Sequence, residues 1–329
     1  MNLKKTVLSA LLLLLSTFSL QAQSTKAWTR WWWMGSAVSK AGIKAQLTAF
    51  HKAGIGGVEI TPIYGVKGQE GNFLPFLSPQ YLEMLDYTTQ LADSLGMGVD
   101  MVLGTGWPYG GPQVEPAHAA TRLEHQAFEL KKGESFAQNL SPAKPESKLV
   151  AVLAYGEGGF FEDLSEKIQN SQLQWTPPQD LKVYAVYEAK TGQKVKRAAP
   201  GGEGFTLDHY SRAALADYVI PYDQKLKAPV RAIFNDSFEV YGADFTPGFL
   251  EAFAKLRGYD LRPYLHLLIE KTDSELANRV RSDYRETLGD LLKVEFDRPW
   301  TAWANAKGYV TKLQAPRLAR QSPRPLCHG

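Results

Sequence analysis

The stretch WWWMGSAVSKAGIKAQLTAFHKAGIGGVEITP, residues 31–62, decides how the fold is read. It begins as a short aromatic strand, WWWMGS. It continues as SKAGIKAQLTAFHKAG, in which Ile43, Leu47 and Phe50 recur at helical spacing on one face and Gly54 ends the run. It leaves through GGVEITP, a buried strand that stops at Pro62. Strand, helix and near-continuous apolar strand make one βαβ unit, which places the chain among proteins with a helix-covered parallel sheet.

The same pattern repeats downstream. The loop IYGVKGQEGNFLPFL leads to a helix with Ser78 as N-cap and Pro79 as first residue. Leu82, Leu85 and Leu91 form its inner face, and Gly96 closes it. MGVDMVLGT is the next buried strand and runs into GWPYGGP. From Ala119 to Gly201 the pattern changes, and SKLVAVLAY and LKVYAVYEA, separated by polar turns, read as antiparallel strands. Alternation then returns with the helical SRAALADYVIPYDQKL, the strand VRAIFND, a helix capped by Thr246 and Pro247 and stopped at Gly258, a long helical stretch through Trp303, and the strand GYVTKLQA. The expected architecture is an α/β, TIM-type barrel that is incomplete, with about five of eight strands. Residues 28–118 form its first part, 119–201 a β-rich insertion, and 202–314 its continuation.

Composition fits this picture. The 329 residues are 44% hydrophobic and 22% charged, as in an ordinary globular enzyme. Aromatics reach 12%, and five of the eight tryptophans (Trp28, Trp31, Trp32, Trp33 and Trp107) fall in the first third, which suits either a large core or sugar stacking. The start, MNLKKTVLSALLLLLSTFSLQAQS, carries Lys4 and Lys5, an apolar run from Val7 to Leu20 and a cleavable LQAQ. It reads as a signal peptide over residues 1–22, and so as a periplasmic or secreted protein. The net charge of +3 becomes −2 once Lys4, Lys5, Arg317, Arg320 and Arg324 are set aside. A near-neutral body argues against nucleic-acid and membrane partners. The single cysteine, Cys327, lies near the end, so the body uses neither disulfides nor thiol chemistry.

In a barrel the reactive groups gather just after each strand. In IFNDSFE, Asp236 and Glu239 follow a buried strand, as an acid–base pair does, or as a turn cap and a solvated glutamate do. Glu59 inside GGVEITP and Asp100 inside GVDMVL are charges within apolar strands, to be met by a basic side chain or by a bound hydroxyl. Trp107 and Tyr109 in GTGWPYGGP offer a stacking platform or fill the core. Asp208 and His209 in GGEGFTLDHYS lie on a Gly-rich loop that could reach substrate. GTGWPYGG is no dinucleotide loop, because Trp107 and Pro108 stand where small residues and free N–H groups are needed. That opposes an oxidoreductase reading. No HExxH, CxxC or EF-hand spacing marks a metal site.

Taken together, WWWMGSAVSKAGI, GIGGVEITPIYGVKG, LGMGVDMVLGTGWPYGGPQV, GQKVKRAAPGGEGFTLDHYS and FNDSFEVYGADFTPGFLEAF resemble glycoside hydrolase family 106, the α-L-rhamnosidases, over nearly all of Trp31 to Ala315. The resemblance implies a (β/α)8 catalytic barrel and inverting hydrolysis of terminal α-L-rhamnosides in plant glycans, with calcium assisting. It also implies that Glu239 is one of two catalytic glutamates. The second would lie on a later strand, and no candidate stands here. Where the family continues QAHGSPGNLLDLYA, this chain reads QAPRLARQSPRPLCHG. Nearly the same bases encode both, which points to a one-base frameshift near Ala315 to Arg317 and an out-of-frame tail over 315–329. On this reading the chain as written is a truncated, inactive fragment. Two alternatives are another glycosidase specificity on the same barrel and a non-catalytic carbohydrate-binding protein.

Overall fold

The computed structural model describes residues 26–144 and 146–314. The leader at 1–22 and the tail at 315–329 lie outside the described residues. The fold is mixed α/β. Five parallel strands form one sheet in the order β1 (Trp28–Met34), β2 (Gly57–Ile63), β3 (Gly98–Val102), β12 (Ala232–Asn235) and β13 (Val310–Leu313). Among the described residues this sheet is open. It does not close into a barrel.

Three helices connect the first four strands: α1 (Lys40–Lys52), α2 (Pro79–Ser94) and α3 (Arg212–Lys225). Their limits follow local chemistry. Ser39 accepts from the Gly42 N–H, Ser78 from Tyr81 and Ser211 from Ala214, each satisfying a first-turn donor. Gly96 follows α2 with φ +63°, which costs a glycine little. On α2, Tyr81, Leu85 and Ala92 are buried, while Leu82 and Leu91 pack at the margin of the same core. That core lies between the helices and the outer face of the sheet, where Trp31, Trp33, Val58, Ile60 and Ile233 point.

Between β3 and α3 the chain builds a second sheet, antiparallel, in the order β5 (Thr121–Leu130), β10 (Leu181–Lys190), β7 (Lys148–Gly156) and β8 (Phe161–Asp163). Two short hairpin-like pairs flank it, β4 (Gly110–Gly111) with β11 (Phe205–Thr206) and β6 (Phe136–Asn139) with β9 (Gln172–Trp175). One face packs on α4 (Phe249–Arg257), α5 (Leu265–Ile269) and α6 (Glu275–Leu291), through Tyr155, Tyr184, Phe253 and Leu265. A π-helical stretch, Leu292–Asp297, then passes into α7 (Arg298–Ala306) and returns the chain to β13.

The helix after Asp236 starts later than expected. Thr246 does not cap it. Its hydroxyl donates instead to Asp208 Oδ2 at 2.7 Å, and α4 begins behind Gly248, whose φ is +74°.

The other face of the parallel sheet carries Trp28, Arg30, Glu59, Asp100, Phe234 and Lys312. At its lower end Trp28 lies flat across two glycines of the neighbouring strands. A Cβ on Gly57 would stand 2.5 Å from the ring, and one on Gly98 2.3 Å. The Arg231 guanidinium covers the indole at 4.2 Å.

Candidate active site

Six charged groups converge on and around the inner face. Arg30 of β1 contacts Glu59 at 3.0 Å and Asp236, beyond the end of β12, also at 3.0 Å. Lys312 of β13 reaches Glu59 at 2.6 Å and Asp100 at 3.0 Å, and Arg231 reaches Asp100 at 2.5 Å. On a flat sheet β1 and β12 would stand about 14 Å apart. The long Arg30 side chain and the loop position of Asp236, just beyond β12, together bridge that span. Glu59 and Asp100 are therefore met by basic side chains, and charges that would be costly in the interior are compensated in place.

Asp236 sits one level higher, at the strand end. Gln314, with its amide turned to donate, reaches Asp236 Oδ1 at 2.9 Å. Burial raises the Asp236 carboxyl above its ordinary range. Arg30 opposes the shift, and the negative charges of Glu59 and Glu239 add to it.

Glu239 stands at the mouth formed by the strand ends, with its side chain 48% exposed. Its nearest cation is Lys196, 3.8 Å away. Its backbone is held firmly. The Gln193 amide donates to the Glu239 carbonyl at 2.8 Å and accepts from the Tyr241 N–H at 2.9 Å, so one side chain clamps the loop as a paired strand would. A few residues on, Asp244 accepts from the Leu123 N–H at 2.9 Å, and Thr121 donates to the Phe245 carbonyl. The antiparallel sheet thus fixes the loop that presents Glu239.

Trp107 lies at the same mouth, 6.4 Å from the half-exposed Trp32. Tyr109 does not. It is enclosed by Tyr218, Phe296 and Trp300, and its hydroxyl donates to the Phe234 carbonyl at 2.7 Å, so it offers no ring face to a ligand. Asp208 and His209 are also enclosed, at the joint with the antiparallel sheet. Burial raises Asp208 to about 6 against the donors Thr246 and Tyr210 N–H. His209 is wedged between Phe238 and Phe296, where burial lowers it to about 3 and keeps it neutral. The structure therefore brings Glu239, Asp236 and Trp107 to one mouth, with Glu59 and Asp100 beneath it. It leaves Tyr109, Asp208 and His209 in the frame behind.

No group of three or more His, Cys, Asp or Glu among the described residues is placed to hold a metal ion. The inner carboxylates are already matched to Arg30, Arg231 and Lys312. No helix among them is long and apolar enough to cross a membrane.

Comparison with known proteins adds three findings. The sequence model of glycoside hydrolase family 106, described as alpha-L-rhamnosidase, matches residues 21–156 and 161–312. A protein of Formosa agariphila named "Putative beta-glucuronidase" is 27% identical over 84% of this chain and 28% of its own length. The structure of a rhamnosidase from Novosphingobium sp. PP1Y superposes with a TM-score of 0.75 at 18% identity, over 94% of this chain and 48% of that one. The chain thus spans less than half the length of both.

Proposed function

Because the chain belongs to glycoside hydrolase family 106, the alpha-L-rhamnosidase family, we propose that its mouth is a glycosidase site for terminal α-L-rhamnosides and that Glu239 is one of the two reacting carboxylates. The observation that carries this reading is the contrast in availability. Glu59, Asp100 and Asp236 are engaged by cations 2.5–3.0 Å away, whereas Glu239 reaches solvent from a clamped loop. In an inverting reaction one carboxylate takes a proton from water as it attacks the anomeric carbon, while a carboxylic acid protonates the departing oxygen. Glu239 suits the first role, since its half-exposed carboxylate is open to an attacking water. Trp32 and Trp107 offer apolar faces for the sugar ring. The parallel strands are read as part of an eight-stranded barrel, in which such groups stand at the C-terminal strand ends. The apolar leader makes the enzyme an exported one.

The test is release of nitrophenol from an aryl α-L-rhamnoside by the chain continued in the family's reading frame, beside the chain as written. Glu239→Gln should lower kcat by roughly 10²–10⁴-fold, the range for a lost general base. An unchanged kcat would discard Glu239. The name of the Formosa relative favours one second reading, a β-glucuronidase. Preferential turnover of an aryl β-glucuronide would establish it.

A further inference from the structure

The segment Lys194–Arg197 arches over the mouth and has no part in the proposed hydrolysis. Its backbone is tied to the rim. The Lys196 N–H donates to the Trp107 carbonyl at 2.8 Å, the Trp107 N–H to the Lys196 carbonyl at 3.1 Å, and the Tyr64 N–H to the Arg197 carbonyl at 3.1 Å. The approach is so close that a Cβ on Gly106 would stand 2.0 Å from the Lys196 carbonyl oxygen.

Arg197 itself is held at φ +55°, in the left-handed region that is costly for any residue with a Cβ. Such backbone persists where its surroundings impose it, and it clusters at ligand clamps. Here it directs the guanidinium onto two aromatic residues of the mouth. Its central carbon lies 5.2 Å from the Tyr64 ring centroid and 5.8 Å from that of Trp107, and Nη1 donates to the Tyr64 hydroxyl at 3.0 Å. Among the described residues Arg197 makes no ion pair. Lys196 rests 4.1 Å over the Tyr241 ring and touches Glu239 only at 3.8 Å. Lys196 thus reaches the Glu239 carboxylate, while its chain neighbour Arg197 has no carboxylate partner among the described residues.

We infer that Arg197, with Lys196, is a specificity site for an anionic group, a carboxylate or a sulfate ester, on the sugar adjoining the one held at Glu239. The inference rests on the reading of Glu239 as a hydrolytic carboxylate. With Nη1 donating to Tyr64, the guanidinium still has further N–H donors, and its planar fork matches a carboxylate or sulfate oxygen pair. A uronate or sulfated neighbour would place its charge between Arg197 and Lys196 without displacing the ring at Glu239.

Titration calorimetry on the whole chain tests this without requiring turnover. Four ligands are compared: methyl α-L-rhamnoside, a rhamnosyl-uronate disaccharide, the same disaccharide with its carboxyl reduced to an alcohol, and that neutral form sulfated. At low salt at least one acidic disaccharide should bind about tenfold more tightly than the neutral one, as expected for one charge-assisted contact. The preference should shrink as salt is added. In Arg197→Gln it should fall close to unity, with affinity for the neutral disaccharide and the melting temperature unchanged. Whether the uronate or the sulfate wins identifies the anion. Equal binding of acidic and neutral forms, or a preference that survives in the Arg197→Gln/Lys196→Gln double variant, would overturn the inference. Failure of the methyl rhamnoside to bind, with the acidic preference intact, would instead sink the rhamnoside reading and leave the anion site standing.

Discussion

Glu59 and Asp100, beneath the mouth, and Asp208 and Asp244, at the joint with the antiparallel sheet, are all enclosed carboxyl groups, yet the protein keeps them by opposite means. The first two each touch a cation, at 2.5–3.0 Å. The second two receive hydroxyl and N–H donors at 2.7–2.9 Å, and Lys190 and Arg122 act on them only from a distance. Burial then dominates, raising Asp208 to about 6 and Asp244 to about 7. Neutral donors satisfy a carboxyl group's geometry but offset less of the cost of its charge. A nearby cation offsets that cost and lets a row of carboxylates line an open face.

Removing Lys312 should break the contrast most severely. Lys312→Met strips a cation from both Glu59 and Asp100 and should cost about 3 kcal/mol in urea unfolding, near the low end for a broken buried pair because Lys312 is itself about a third exposed. Pairing it with Glu59→Gln should recover part of the loss. A cost below about 0.5 kcal/mol would mean that the inner carboxylates need no cation, since that is the size of an ordinary surface change.

The joint makes a pH-dependent prediction. Asp244 is protonated in the fold up to about 7 but ionises near 3.8 when unfolded. Its contribution is therefore undiminished below pH 4 and is lost as pH rises toward 7, by about 1.4 kcal/mol for each unit of separation at most. Asp244→Asn should flatten that decline in a series of unfolding curves. An unchanged slope would place Asp244 with the compensated carboxylates.

His209 works in the reverse direction. Its folded value of about 3 lies below the usual 6.5, so stability should fall as pH drops below 6.5 and go on falling toward 3. His209→Leu should remove that acid limb, at the cost of a modest packing change between Phe238 and Phe296. Retention of the limb would assign acid loss to other groups.

The strands and helices were legible because hydrophobic spacing and caps are local. Ser78, Pro79 and Gly96 mark α2 from within its own sequence. Thr246 was misread as a cap because its hydroxyl is taken by Asp208, 38 positions earlier, which no local pattern records. The inner face was only half legible. Glu59 and Asp100 announced themselves as charges in apolar strands, but their partners lie 29 to 253 positions away, and Arg30 and Lys312 look like any surface cation in the sequence. The tryptophans divide in the same way. Trp31 and Trp33 enter the core while Trp28 and Trp32 face the opposite side, a separation set by strand alternation. Gln193 carried no signal at all, because its role rests on backbone atoms of a loop 46 and 48 positions on.

Trp28, lying across Gly57 and Gly98, makes three distant positions a single heritable unit. A mutation enlarging either glycine collides with the indole, and one shrinking the indole uncovers bare backbone on two strands and takes the aromatic cover from the Arg231 guanidinium. Viable descendants must pass through a narrow order of changes, with Trp28 reduced before either glycine grows. A library that varies one site at a time would score both glycines as immutable and miss that either can change once Trp28 is reduced.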